Sequence, residues 1–291
     1  MKLTVFNILF TLSLLILTLL VEQNVEYYLA YFFIISIGIL HGSNDILLIS
    51  HITKNNTNKL KYTILYIILI LFTAIIFSTV PSFALLFFVI MSCYHFGEQH
   101  FHNKISNPNF SIKSIYMSYG MLIFGLIFYL NYEDTTIVIN ELTGYTMPER
   151  LFLSLIIFGS LLTTILLVMN RKKLGTNFKW FLEVSIIIIL ICVFKFASLI
   201  WAFAIYFVVW HSIPSLKNQI EELHGQINKV NFVKYFKASL INWIISVIGI
   251  LVVYYLSDYF NIRFITLFFG FLAAITIPHV VVMYFLNQKT D

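Results

Sequence analysis

The sequence predicts an all-α fold, a polytopic integral membrane helical bundle with about ten transmembrane helices. Of its 291 residues 60% are hydrophobic and only 11% are charged, whereas a soluble domain carries about 25% charged residues. Apolar runs of about 20 residues recur along the chain, and each is long enough to cross roughly 30 Å of hydrocarbon. We therefore predict a single transmembrane domain, residues 1–291, with little protein outside the bilayer.

Ten apolar segments form the predicted spans, at residues 4–21, 27–50, 62–80, 82–101, 113–130, 150–169, 178–194, 198–216, 233–256 and 262–286. The first follows Lys2 as a signal peptide would, but it has no small-residue cleavage site and is predicted to stay as an anchor. Pro81 separates the third span from the fourth, and Lys195 divides the apolar stretch 178–211. Both hairpins are tight, so eight spans is the alternative.

The distribution of basic residues supports ten spans with a cytoplasmic N-terminus. In that topology 15 of the 18 Lys and Arg residues lie in cytoplasmic segments, as the positive-inside rule requires. Only Arg150, Lys195 and Arg263 lie outside. The pattern predicts a multi-pass protein of a cell membrane with both termini in the cytoplasm. It also explains the net charge of +5 without a nucleic-acid partner.

A polar cluster interrupts the second span. His41, Asn44 and Asp45 lie within an otherwise apolar run, and their i, i+3, i+4 spacing places them on one helical face. Ionisable groups are costly in hydrocarbon and usually face protein. This face is therefore predicted to contribute to a functional site.

Four histidines lie inside apolar spans, namely His41, His95, His211 and His279. In the predicted topology their spans all run from outside to inside. Each histidine follows 13–17 residues after the outer end of its span, which is roughly 20–26 Å of helical rise. Equal depth on parallel helices predicts one shared metal site. The alternative is four separate histidines, each bonded to a neighbouring helix.

Histidine ligands alone do not identify the metal, since imidazole suits Zn, Cu, Fe and Ni. Charge-neutral ligation that leaves open positions suits ferrous iron and dioxygen. Ligating imidazoles usually donate their second N–H to a carboxylate or carbonyl, and Asp45, Glu98 and Gln99 are the candidate partners. These groups could instead only tie helices together. His100 and His102, at the end of the fourth span, receive no role.

Other chemistries fit the sequence less well. It contains no GxGxxG or P-loop motif for a nucleotide and no adjacent His-His pair, which membrane desaturases need. A proton-coupled transporter could use Asp45 and Glu98, but broken repeat halves are not evident. Cys93 and Cys192 indicate neither a disulfide framework nor a metal motif. A bis-histidine haem protein is compatible with four buried histidines.

Four motifs carry a family resemblance: HGSND at 41–45, YHFGE at 94–98, WHS at 210–212 and PH at 278–279. In order and spacing they resemble the bacterial Brp/Blh family of membrane β-carotene dioxygenases, over essentially the whole chain. The resemblance implies cleavage of β-carotene by O₂ at the central double bond, giving two all-trans-retinal at a non-haem Fe(II). It also implies a bacterial inner membrane location and a functional link to a retinal-binding rhodopsin.

By that resemblance His41, His95 and His211 match iron-ligand positions. Many members of the family read His-Ser-x-x-His, but here the second histidine position is Ser215. His279 is then the natural fourth ligand by depth, and Ser215 a second-layer group. Two alternatives remain at this stage: carotenoid cleavage at another bond, or a haem- or carotenoid-binding protein without catalysis.

Overall fold

The computed structural model describes residues 2–53, 56–105 and 109–290, with the backbone alone at 2, 56, 57 and 287–290. Within these ranges the chain forms helices and no strand, as the sequence predicts. The helices are α1 Lys2–Leu20, α2 Gln23–Thr53, α3 Asn56–Thr79, α4 Pro81–Phe101, α5 Phe110–Leu130, α6 Tyr132–Thr143, α7 Glu149–Met169, α8 Trp180–Phe196, α9 Leu199–His224, α10 Lys229–Phe260 and α11 Phe264–Thr290.

Nine helices of the described ranges are long and apolar enough to cross a membrane, which leaves out α6 and α8. Helix α8 matches the predicted span 178–194 but has 17 residues, the lower limit for a span. Helix α10 extends beyond its predicted span 233–256 at both ends, because asparagines cap it. Asn228 accepts the N–H of Asn231 at 2.8 Å, and Asn261 adopts a left-handed conformation with φ 52°.

Helix α6 lies in the segment 131–149, which connects the fifth and sixth predicted spans and lies outside the membrane in the ten-span topology. It has 12 residues, too few to cross the hydrocarbon core as a helix. Glu133 and Asp134 lie in its first turn, where carboxylates interact favourably with the helix dipole. Gly144 ends the helix with φ +75°, the left-handed conformation that glycine adopts at little cost.

Two compact units make up the chain, and each collects segments that are distant in sequence. Unit 1 comprises Met1–Ile34, Cys93–Ile137 and Thr146–Pro214, and unit 2 comprises Ile35–Ser92, Val138–Tyr145 and Ser215–Asp291. Four of the five boundaries fall inside α2, α4, α6 and α9, and the fifth lies between α6 and α7, so the units are not successive along the chain. The single domain over residues 1–291 stays a prediction. Lys54, which contributes to the predicted charge asymmetry, lies outside the described residues.

In unit 1, two glycines let α4 and α5 approach more closely than side chains allow. A Cβ atom added to Gly97 would lie 1.9 Å from the carbonyl oxygen of Tyr116, and one added to Gly120 would lie 1.9 Å from that of Cys93. Small residues permit such backbone contact between membrane helices. Because His95 lies between the two contact positions on α4, the close approach fixes its place against α5.

In unit 2, helix α10 supports an irregular stretch of α2. Residues Ile34–Gly38 form a π-helical turn, and a further break follows at Ser43. Trp243 of α10 donates its indole N–H to the carbonyl of Ile35 at 2.7 Å. Asn242 donates its amide to the carbonyl of Ser43 at 2.8 Å. Since hydrocarbon offers no water to backbone groups, these two side chains allow α2 to leave regular α-helix geometry.

Helices α2 and α11 run parallel within unit 2. His41 contacts His279, and further along both helices one apolar cluster joins Leu48, Ile49, Val282, Met283 and Leu286. The direction agrees with the sequence prediction, in which both spans run from outside to inside.

Candidate metal centre

The four histidines of the apolar spans are all buried, with 1–4% of each residue exposed. The structure brings them together in two pairs, one in each unit. His41 of α2 and His279 of α11 form the pair of unit 2, and His95 of α4 and His211 of α9 form the pair of unit 1.

In unit 2 the two imidazole rings are perpendicular. The ring centroids of His41 and His279 lie 4.9 Å apart with an interplanar angle of 88°. One ligand atom of each ring lies within 4.8 Å of the other. Gly42 lies beside this pair, and a Cβ atom there would be in ordinary van der Waals contact with Nδ1 of His279, at 3.7 Å.

Asp45 orients the ring of His279. The Nδ1–H of His279 donates to Asp45 Oδ1 at 2.8 Å, and the hydroxyl of Tyr66 donates to Asp45 Oδ2 at 2.9 Å. A carboxylate that accepts from Nδ1 selects the tautomer with its lone pair on Nε2. The sequence offered Asp45 as a partner of His41, four residues before it on α2. In the structure Asp45 instead bonds the ring of His279 on α11, a helix distant in sequence.

The His41 ring is oriented by its own backbone. Its Nδ1 contacts the carbonyl oxygen of Gly38, at the end of the π-helical turn, so Nδ1 donates and Nε2 carries the lone pair. The carbonyl of His41 lies 3.2 Å from the hydroxyl oxygen of Tyr235 on α10. Asn44 donates its amide to the carbonyl of Tyr235 at 3.2 Å. Of the polar face predicted on the second span, Asn44 is thus bonded to α10, whereas Asp45 is bonded to α3 and α11.

Ser215 belongs to a hydrogen-bonded chain of unit 2. Gln219 donates its side-chain amide to Ser215 Oγ at 3.1 Å, and its Oε1 accepts the hydroxyl of Tyr235 at 2.6 Å. All three side chains are fully buried. Ser215 is therefore connected through Tyr235 to the backbone of His41, which fits a second-layer group.

In unit 1 the rings of His95 and His211 have centroids 4.8 Å apart and an interplanar angle of 69°. Phe96 packs against the His211 ring at 4.5 Å, and Phe207 stacks on it at 5.6 Å with an angle of 13°. His211 lies in a second π-helical turn, Tyr206–Ser212. Such turns are rare and occur frequently at functional sites.

The spacing of each pair suits two ligands of one metal ion. Metal–nitrogen bonds of about 2.0–2.1 Å place the centroids of two bound imidazoles roughly 4.6 Å apart at a 90° angle and roughly 5.3 Å apart at 109°. The observed 4.9 Å and 4.8 Å lie between these values. Ligands on opposite sides of an iron, as in a bis-histidine haem, would be roughly 6.5 Å apart. Neither pair has that spacing.

The other predicted second-layer groups, Glu98 and Gln99, lie on α4 beyond His95. Both are half-buried. Glu98 Oε1 accepts the hydroxyl of Tyr94 at 3.3 Å, within the same helix. Their assignment to the second layer stays a prediction.

His100, which the sequence left without a role, lies in a separate buried cluster of unit 1. Its Nε2 is 2.7 Å from Glu183 Oε2, and Lys104 Nζ is 2.6 Å from Glu183 Oε1. The hydroxyl of Tyr119 lies 3.2 Å from Nδ1 of His100. Burial lowers the pKa of the Lys104 ammonium, and the Glu183 carboxylate opposes that shift. The cluster ties the end of α4 to α8.

Three residues of the unit 2 site were missed from the sequence: Tyr66, Tyr235 and Gln219. Tyr66 and Tyr235 are two of 17 tyrosines, and nothing in their local sequence distinguishes them. Gln219 follows Ser215 by four residues, a spacing that could have indicated a shared helical face.

Comparison with known proteins adds one match. The family model described as beta-carotene 15,15'-dioxygenase matches residues 32–287. No curated protein and no solved structure matches the chain. The matched range contains all four histidines of the two pairs.

Proposed function

Because this chain belongs to the beta-carotene 15,15'-dioxygenase family, we propose that it cleaves β-carotene at the central double bond with O₂ and releases two all-trans-retinal. We assign the metal as a non-haem Fe(II) held by His41, His95, His211 and His279. The observation that carries the assignment is the pair geometry: two buried pairs, each with the spacing of neighbouring ligands on one ion.

The donor set of unit 2 fits a divalent metal. In both rings the Nδ1–H is directed at a protein oxygen, Gly38 O for His41 and Asp45 Oδ1 for His279. Each ring then offers Nε2, and its orientation is fixed before a metal arrives. The Asp45 carboxylate, which is bonded to His279, supplies a negative charge that favours a cation.

That both pairs bind the same ion is the second step of the proposal. It rests on the sequence, in which the four histidines follow the outer ends of their spans by similar distances. The parallel course of α2 and α11 in unit 2 agrees with this topology. Fe(II) would supply the redox chemistry by which O₂ reacts with an alkene.

The protein's own contribution is an apolar, aromatic environment. Phe96 and Phe207 contact the His211 ring, and such surfaces suit a polyene while excluding water. A carotenoid is as apolar as lipid, so we propose that it enters sideways from the bilayer. No general acid or base is assigned, since cleavage of the C=C bond needs none. Asp45 and the chain from Ser215 to Tyr235 act as positioning groups.

The location and partners follow from the same proposal. The protein lies in the inner membrane of a bacterium with both termini in the cytoplasm, and its retinal supplies a rhodopsin of that membrane. The spacing within each pair argues against a haem held between the two histidines of one pair. A non-catalytic carotenoid-binding protein and an enzyme that cleaves another bond are distinguished by the product.

Expression in cells that make β-carotene tests the proposal. Aerobic cells should lose their orange colour and accumulate retinal, and they should keep the colour without oxygen or with a permeant iron chelator. Cells that express an alanine variant of His41, His95, His211 or His279 should keep the colour. The control is His51→Ala, since His51 is half-exposed and bonded to Glu222, and cells that express it should lose the colour. A longer apocarotenal would contradict the cleavage position, and intact bound carotenoid would contradict catalysis.

A further inference from the structure

Helix α1 turns a polar stripe toward protein. Asn7, Thr11 and Thr18 are buried together with Leu14, and the spacing of four, three and four residues places them on one helical face. A simple membrane anchor needs no polar face, because every side chain of such a helix can be apolar. The buried polar stripe indicates that α1 contacts the rest of unit 1 specifically.

The contacts of that stripe are two hydrogen bonds to tryptophans of α9. Trp210 donates its indole N–H to Thr11 Oγ1 at 3.0 Å, and Trp201 donates its indole N–H to Thr18 Oγ1 at 2.8 Å. Each threonine hydroxyl donates in turn to the carbonyl four residues earlier in α1. That bond fixes the proton of the hydroxyl and leaves its lone pairs to accept the indole N–H. The order of the contacts shows that α1 and α9 run antiparallel.

One of these bonds is next to a candidate metal ligand. Trp210 directly precedes His211, inside the π-helical turn Tyr206–Ser212. A π-helical turn has i→i+5 hydrogen bonds and is rare inside α-helices. At the beginning of α9, Glu26 accepts the N–H of Ser198 at 2.7 Å. Helix α9 is thus held at its start and again beside the histidine.

We infer that α1 is a positioning helix for His211: Thr11 holds Trp210 and through it fixes the direction of the imidazole. Helix α1 precedes the matched range 32–287, so the family match does not assign it this role. The inference rests on the proposed function in one respect, namely that His211 binds the metal. It also requires that α1 remains attached to the mature protein.

The test uses the purified full-length protein loaded with Co(II), whose visible absorption reports the arrangement of the ligands. Thr11→Val removes the acceptor with little change in shape, and Thr11→Ser retains the hydroxyl. Ser13→Ala is the matched control, since Ser13 is exposed on the same helix. We expect Thr11→Val to weaken Co(II) binding roughly threefold or more, the effect of one transmembrane hydrogen bond, and to shift the absorption bands. Thr11→Ser and Ser13→Ala should match the wild type.

A double-mutant cycle protects the test against general misfolding. Trp210→Phe removes the donor of the same hydrogen bond. The double variant Thr11→Val/Trp210→Phe should therefore bind Co(II) about as tightly as whichever single variant has the lower affinity. Additive losses, or a Thr11→Val spectrum identical to the wild type, would overturn the inference. The intact mass of the purified protein should show that α1 is still attached. A mass that lacks α1 would also overturn the inference. His211→Ala separates the two proposals: unchanged Co(II) affinity in that variant contradicts the assigned ligand set instead.

Discussion

Substituting Asp45 should weaken metal binding without unfolding the protein. Asp45 is buried, with 1% of the residue exposed. Asp45→Asn keeps the size of this side chain but removes its charge. The carboxylate accepts two hydrogen bonds, from His279 Nδ1 at 2.8 Å and from the Tyr66 hydroxyl at 2.9 Å. An asparagine can accept one of them only if its amide nitrogen faces the other donor. The Tyr66 hydroxyl must then accept from that amide instead of donating to it, and the variant loses the charge that favours a cation.

The expected loss is 10- to 100-fold in metal affinity, the usual effect of removing an outer partner of a ligating histidine, or about 1.4–2.7 kcal/mol. Tyr66→Phe should cost about tenfold or less, because the carboxylate still accepts from His279. Tyr62→Phe is its control, since Tyr62 is exposed on the same helix. The assay is anaerobic competition for Fe(II) against a chromophoric chelator, with the melting temperature of the metal-free protein recorded alongside.

A cycle with His279 decides whether Asp45 acts through that ring. In the His279→Ala background Asp45→Asn should have little further effect on Fe(II) affinity. An equally large loss in both backgrounds would show that Asp45 acts on the metal by another route. Wild-type affinity in Asp45→Asn itself would refute the orientation argument altogether.

The remaining predictions concern the fourth ligand, the support of α2 and the topology. His279→Ala should lose iron and retinal production nearly completely, whereas Ser215→Ala should retain iron by metal analysis and most of the turnover; the reverse result would move the fourth ligand to Ser215. Trp243→Phe should lower the unfolding free energy in detergent by about 0.6–1.7 kcal/mol, the range for one hydrogen bond between membrane helices, and an unchanged stability would show that the Ile35 carbonyl finds another donor. Reporter fusions should place the loop 170–179 in the cytoplasm and the segment 131–149 outside, and the opposite signals would refute the ten-span topology.

The helices and the histidines were predictable because the membrane constrains sequence locally. Each span is an apolar run of about 20 residues, so its position can be seen without knowing its neighbours. The same rule explains why α6 was missed, since a 12-residue helix need not be apolar. The histidines stood out because ionisable groups are rare in such runs.

The partners of the site residues were not predictable in the same way. Helical spacing identifies neighbours on one helix, and it therefore offered His41 as the partner of Asp45. The actual partner is His279, 234 residues later, and the second donor is Tyr66 on α3. Contacts between helices depend on how the helices pack, which one sequence does not reveal. The pairing of His95 with His211 in unit 1 is of the same kind.

The two π-helical turns connect backbone irregularity to the position of the histidines. A π-helical turn contains one more residue than an α-helical turn, so it rotates the residues that follow by about 100° relative to a regular helix. His41 follows the turn Ile34–Gly38, and His211 lies within the turn Tyr206–Ser212. The direction of each imidazole thus depends on a local feature that helical periodicity does not predict. Each turn also forms a hydrogen bond with another helix. Trp243 of α10 donates to the Ile35 carbonyl of the first turn, and Thr11 of α1 accepts the indole N–H of Trp210 in the second. We therefore expect helices that carry no candidate ligand, α1 and α10, to influence where His211 and His41 point.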